Sequence, residues 1–154
     1  MRPLTLHASA LTDPEYSLYT TALLDLAGED SDSHPHDDSY YAALAVSARE
    51  ARAWVRGRYT ALAPAQVDAA LRLFCPALAP ADTLSGGQFF AALRLITHVR
   101  HGRPVDGSLV FVQGECLVLS PFGLAFAFDS GHGGCNCACE EQVVLWRTWR
   151  SVEP

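Results

Sequence analysis

Apolar residues recur at helical spacing in four stretches of this chain, and each stretch is bracketed by residues that start or stop a helix. The first opens at Thr12-Asp13-Pro14-Glu15, where a capping residue precedes a proline at the first helical position and an acid in the first turn. Tyr16, Tyr19, Leu23 and Leu26 follow as one apolar stripe. The run GEDSDSHPHDD breaks the pattern with acids and turn formers, which predicts a surface loop. Behind it, YYAALAV predicts a short strand. Ser47 with Glu50 predicts a capping box for a second helix, which bears Ala51, Trp54 and Val55 and stops at Gly57.

A third helix begins near Pro64 and presents Val67, Ala70, Leu71 and Phe74 on one side. Cys75-Pro76 ends it, because proline lacks the backbone donor and restricts the residue before it. The loop ALAPAD leads to Thr83-Leu84, a second short strand. Ser85 with Gln88 is another capping box, and Phe89, Leu93 and Ile96 then share a face flanked by Phe90. His98, Arg100 and His101 in the last turn, Gly102 just past it and Pro104 beyond mark the end. Helix, loop, strand, helix thus occurs twice. The prediction is a mostly α fold: an EF-hand-like pair of four main helices with a short two-stranded antiparallel β link. Its expected core sets Phe89, Phe90, Leu93 and Ile96 against Tyr19, Leu23, Trp54 and Leu71.

A length of 154 residues suits one domain. Residues 12–110 carry the helical pattern, 1–11 are expected as an N-terminal tail and 111–154 as an irregular one. Charge is uneven: residues 1–48 hold one Arg against eight acids, whereas 49–106 hold eight Arg against four. The body of the domain is therefore mildly basic, and the run Arg49, Arg52, Arg56 and Arg58 suits a phosphoinositide headgroup or a solvated face. The overall charge of -6 gives no support for nucleic-acid binding. The first residues lack the apolar run of a signal peptide, and residues 116–128, broken by Pro121 and Gly123, are too short for a membrane span. Five Cys, an odd number, fit a reducing cytoplasmic setting better than a secreted disulfide framework.

The run Gly87-Gln88-Phe89-Phe90-Ala91-Ala92-Leu93-Arg94-Leu95-Ile96, followed by Gly102-Arg103-Pro104-Val105, resembles the closing helix of an EH domain, the paired EF-hand module of endocytic and membrane-trafficking adaptors. Tyr16-Ser17-Leu18-Tyr19, Ser47-Ala48-Arg49-Glu50-Ala51 and Leu62-Ala63-Pro64 are similar, in order, to its earlier pieces. The resemblance implies a protein-interaction module without catalysis, cytoplasmic or peripheral on an endosomal or plasma membrane. It implies binding of short Asn-Pro-Phe peptides in an apolar pocket between the second and third helices. The peptide-binding residues would be Trp54, Val55, Leu62, Val67 and Leu71. Leu71 stands where the family has a Trp and Val67 where it has a Leu, so the pocket loses its aromatic floor, worth about 1 to 3 kcal/mol of contact with a Phe ligand. This departure opens an alternative: a degenerate EF-hand pair without peptide binding, serving as a structural or membrane-proximal domain of a truncated sorting-nexin-like protein.

No cofactor is expected. The second loop offers Asp82 as its one carboxylate, with Gln88 where a calcium-binding loop needs Glu. The first has Glu29, Asp30, Asp32, Asp37 and Asp38, but a Pro in its middle and no Gly at the sharp turn. In the last segment Cys135, Cys137 and Cys139 alternate, with His132 three residues upstream; these are weak zinc candidates, because CNCAC has no partner knuckle. Gly114-Glu115-Cys116 can be encoded by GGT GAG TGC, which contains a good splice donor, so this segment is also read as translated intron. None of the nucleophile, phosphate-loop or metalloprotease motifs occurs, and no enzymatic activity is expected.

Overall fold

The computed structural model describes residues 3–29 and 37–113, which lie within one compact unit, Met1–Cys116. Helix α1, Asp13–Ala27, starts where expected: the Glu15 carboxylate accepts from the Thr12 backbone N–H at 2.9 Å and from its hydroxyl at 3.1 Å. It ends at Gly28, whose φ of 74° places it in the left-handed region that favours glycine. The segment YYAALAV then departs from the strand reading. Its first part is a short helix α2, Asp38–Ala43, and only Ala45–Ser47 form strand β1. The physical reason lies just upstream, where the Asp37 side chain accepts from the Tyr40 backbone N–H at 2.9 Å and caps the helix.

Helix α3, Ala48–Arg58, follows directly; Ser47 accepts from the Arg49 N–H, and that bond alone stands in place of the expected box with Glu50. Helix α4, Pro64–Leu71, is capped by Gln66, whose Oε1 accepts from the Ala63 N–H at 3.0 Å. It stops earlier than Cys75-Pro76, because Leu73 and Phe74 bond back three residues and tighten the chain into turns. Strand β2, Thr83–Ser85, pairs antiparallel with β1, setting Val46 opposite Leu84. Among the described residues the architecture is therefore five α-helices and one small two-stranded sheet, with two 3-10 turns at Ala8–Ala10 and Gly107–Phe111.

The last helix, α5, Gly86–Arg100, carries the full reciprocal cap: Ser85 N–H donates to Gln88 Oε1 at 3.0 Å and Gln88 N–H to Ser85 Oγ at 3.4 Å. Its other end is a Schellman motif, with Gly102 N–H on the Val99 carbonyl, Arg103 N–H on that of His98, and Gly102 at a φ of 80°. The sequence pattern implied one buried face. Instead, every residue from Phe89 to Val99 is buried, so α5 is the axis around which the other elements pack. The segment expected as an N-terminal tail supplies part of this cover: Leu6 and Ala8 are buried, and the Leu6 N–H reaches the Gly87 carbonyl at 2.9 Å. Helix α2 comes closest of all, for a Cβ at Gly86 would lie 1.9 Å from the Tyr41 carbonyl oxygen.

The expected core is present, with Tyr19, Leu23, Leu71, Phe89, Phe90, Leu93 and Ile96 essentially without exposed surface. Tyr41 joins it through edge-on contacts with Tyr16 and Phe90. Among the described residues no helix is long and apolar enough to cross a membrane.

Candidate functional site

The residues expected to form a peptide pocket lie on α3, on α4 and on the linker between them, and most are already covered. Val55, Val67 and Leu71 retain 1 % or less of their surface, and Trp54 retains 7 %. Leu62, on the linker between the helices, is half-buried. Trp54 packs edge-on against Phe89 and Tyr59, with ring centroids 6.4 and 6.3 Å away, and the Arg58 guanidinium lies over its ring at 5.5 Å. These side chains spend their apolar surface on one another and on α5. Large apolar side chains exposed among the described residues are Tyr16, Leu73 and Val112, none of them on α3 or within α4.

Polar side chains close the outer edge of the same junction. Asp68 of α4 accepts from Arg52 Nε at 2.7 Å and from its terminal NH2 group, and from Arg56 at 3.0 Å. The Arg52 hydrogen bonds hold the Asp68 carboxyl below the usual carboxylate range; partial burial opposes them, and the charges of Arg52, Arg56 and Arg72 add to them. Asp68 correspondingly raises Arg52. Sequence reading missed this centre, although Arg52 and Arg56 at i, i+4 and Asp68 with Arg72 at i, i+4 were visible as same-face pairs.

A second polar centre lies inside the molecule. Arg94, midway along α5, donates to Glu15 Oε1 at 2.8 Å and Oε2 at 2.6 Å, to the Ala10 carbonyl at 2.8 Å and to that of Val110 at 3.4 Å. The two side chains are 2 % and 1 % exposed. Burial pushes the Glu15 carboxyl up, but the hydrogen bonds from Arg94 and Thr12 and the Arg94 charge outweigh it and hold it below its ordinary value. One guanidinium thereby ties α5 to α1, to the segment before α1 and to the turn Gly107–Phe111. The sequence signal was available: a lone charge in the run AALRLIT needs a buried partner.

Among the described residues, Asp37, Asp38, Asp82, His7 and His98 are engaged within the fold. Asp37 caps α2, Asp38 sits 3.3 Å from His7, and Asp82 accepts from the Ala79 N–H at 2.7 Å. Gln88, at the place of a calcium-ligating Glu, turns back to Ser85 instead. His98 is buried with Nε2 on the Val112 carbonyl at 3.0 Å, whereas His101 is exposed, so the two do not form a site together. Cys75 is buried, and burial pushes its thiol up, away from nucleophilic reactivity. Among the described residues no three His, Cys, Asp or Glu side chains converge as metal ligands. Asp30, Asp32, His132, Cys135, Cys137 and Cys139 lie outside the described residues. Comparison with family models, with curated proteins and with solved structures finds no match to this chain.

Proposed function

We propose that this chain is a non-catalytic interaction domain of membrane-trafficking machinery, an EF-hand-like pair that keeps its shape without calcium and acts as a membrane-proximal scaffold at the cytoplasmic side. The pairing is supported by the element order, since α4, β2 and α5 follow one another as helix, strand, helix, α1, β1 and α3 do the same with the short α2 inserted before β1, and the two strands join antiparallel. Calcium independence is supported by Asp37, which caps α2, by Asp82, which accepts from the Ala79 N–H, and by the Gln88 side chain bonded to Ser85.

The observation that carries the choice between scaffold and peptide receptor is the burial of Val55, Val67 and Leu71. A peptide phenylalanine needs an apolar cavity that water or nothing fills in the free protein. Here the chain's own side chains take that place, and the Arg52–Asp68–Arg56 bridge fastens α3 to α4 above them. Titration of Asn-Pro-Phe peptides into the full chain, followed by NMR, tests this reading. No shift at millimolar peptide is expected from the folded domain. Saturable shifts centred on Val67 and Leu71 would restore the peptide-binding adaptor and remove the scaffold reading.

A further inference from the structure

Helices α3 and α4 together carry far more positive than negative charge. Arg49, Arg52 and Arg56 stand at i, i+3 and i+7 and share a face of α3, Arg58 closes that helix, and Arg72 caps α4. Against these five guanidiniums the two helices hold two carboxylates, Glu50 and Asp68. Asp68 is the meeting point, bonded to Arg52 and Arg56 and within electrostatic reach of Arg72. One carboxylate among three guanidiniums fixes their positions and leaves most of their charge uncompensated.

The cluster also retains unused donors facing outward. Arg52 and Arg56 each keep 37 % of their side-chain surface, and Arg49 and Arg72 are exposed. Guanidinium forks match the oxygens of a phosphate, and they are more weakly hydrated than ammonium groups. The apolar residues beneath are sealed, so this face offers an extended ligand no groove and a charged surface a broad platform.

We propose that the α3–α4 face binds the phosphorylated headgroups of a membrane, with Arg49, Arg52, Arg56 and Arg72 contacting headgroup phosphates. The assignment rests on the membrane-proximal reading above and names the surface that reading requires. It concerns a ligand different from the peptide, so the two experiments fail separately.

Sedimentation of the full chain with phosphatidylcholine vesicles carrying a minor fraction of a phosphoinositide bisphosphate tests it. The chain is expected to sediment with these vesicles, to stay in solution with phosphatidylcholine alone, and to be released by added salt. Arg49→Gln combined with Arg72→Gln, which leaves the bonds to Asp68 intact, is expected to weaken binding on the order of thirtyfold, from about fivefold per guanidinium at an anionic surface. Asp68→Asn removes the neutralising carboxylate and is expected to tighten binding about fivefold. A merely structural role for the cluster predicts the opposite sign. Absence of sedimentation, or sedimentation unchanged by the double substitution, overturns the proposal. Equal competition by inorganic phosphate at headgroup concentration identifies a soluble phosphate ligand, and saturable binding of an acidic peptide without vesicle binding identifies a protein partner; either result overturns the membrane assignment.

Discussion

Replacing Arg94 by Met keeps an apolar, unbranched stem in place of the guanidinium side chain while deleting its charge and its donors. The consequence follows from what remains. Glu15, 1 % exposed, loses both guanidinium bonds and keeps only those from Thr12, and the carbonyls of Ala10 and Val110 lose the donor they accept from. Breaking a buried ion pair from one side costs about 3 to 5 kcal/mol, because the surviving charge is left uncompensated. That is a large share of the roughly 5 to 15 kcal/mol that holds a domain together. Urea denaturation at neutral pH measures it, with the midpoint falling and the slope unchanged if the change is purely one of stability. Arg94→Met combined with Glu15→Gln is expected to recover part of the loss, since no buried charge then remains. By contrast, Arg52→Met at the half-exposed clasp is expected to cost about 1 kcal/mol or less. An Arg94→Met loss no larger than that of Arg52→Met would refute the reasoning.

The same carboxylate contributes to acid stability. Because the folded state holds Glu15 below its ordinary value, its contribution is complete above the unfolded Glu pKa of about 4.3 and is lost as pH falls through the lower folded value; denaturation midpoints measured through that range should fall less steeply for Glu15→Gln. Phe89→Ala, at a position 1 % exposed and in edge contact with Trp54, is expected to cost about 3 to 5 kcal/mol, and an unchanged melting temperature would count against this core. Gly86→Ala drives a methyl group into the Tyr41 carbonyl and is expected to cost about 3 kcal/mol, more than the roughly 1 kcal/mol of left-handed strain in Gly102→Ala, as ranked by thermal melts. Added calcium and added chelator are both expected to leave the melting temperature in place, and isothermal titration should find no micromolar site; a calcium-dependent rise would overturn the reading of both loops.

Much of the fold was legible because its signals act over a single turn of chain. Thr12 with Glu15, Ser85 with Gln88, and Gly102 after the last apolar turn of α5 each satisfy backbone groups within about four residues, so their meaning does not depend on the rest of the molecule. The spacing of Phe89, Leu93 and Ile96 likewise marked α5 as a core helix. It underestimated how far that helix is enclosed, since the segment before α1 and the turn Gly107–Phe111 cover the side that periodicity left open. The conversion of Asp38–Ala43 from strand to helix depended on one cap, Asp37, inside a run of acids that all read as loop.

For the candidate site the division is sharper. The family resemblance, and not the local pattern, put Trp54, Val55, Leu62, Val67 and Leu71 together as expected neighbours across a helix junction. Whether such neighbours line a cavity or fill one is a question of volume. Volume is settled only when α5, bringing Phe89, arrives from elsewhere in the chain. The ionic centres obey the same rule. Arg94 and Glu15 are 79 residues apart, and only the closed fold makes each the other's replacement for water. Local bonding and periodicity were thus set by the sequence, while enclosure and charge pairing belonged to the tertiary structure, because burial is a property of everything that surrounds a residue.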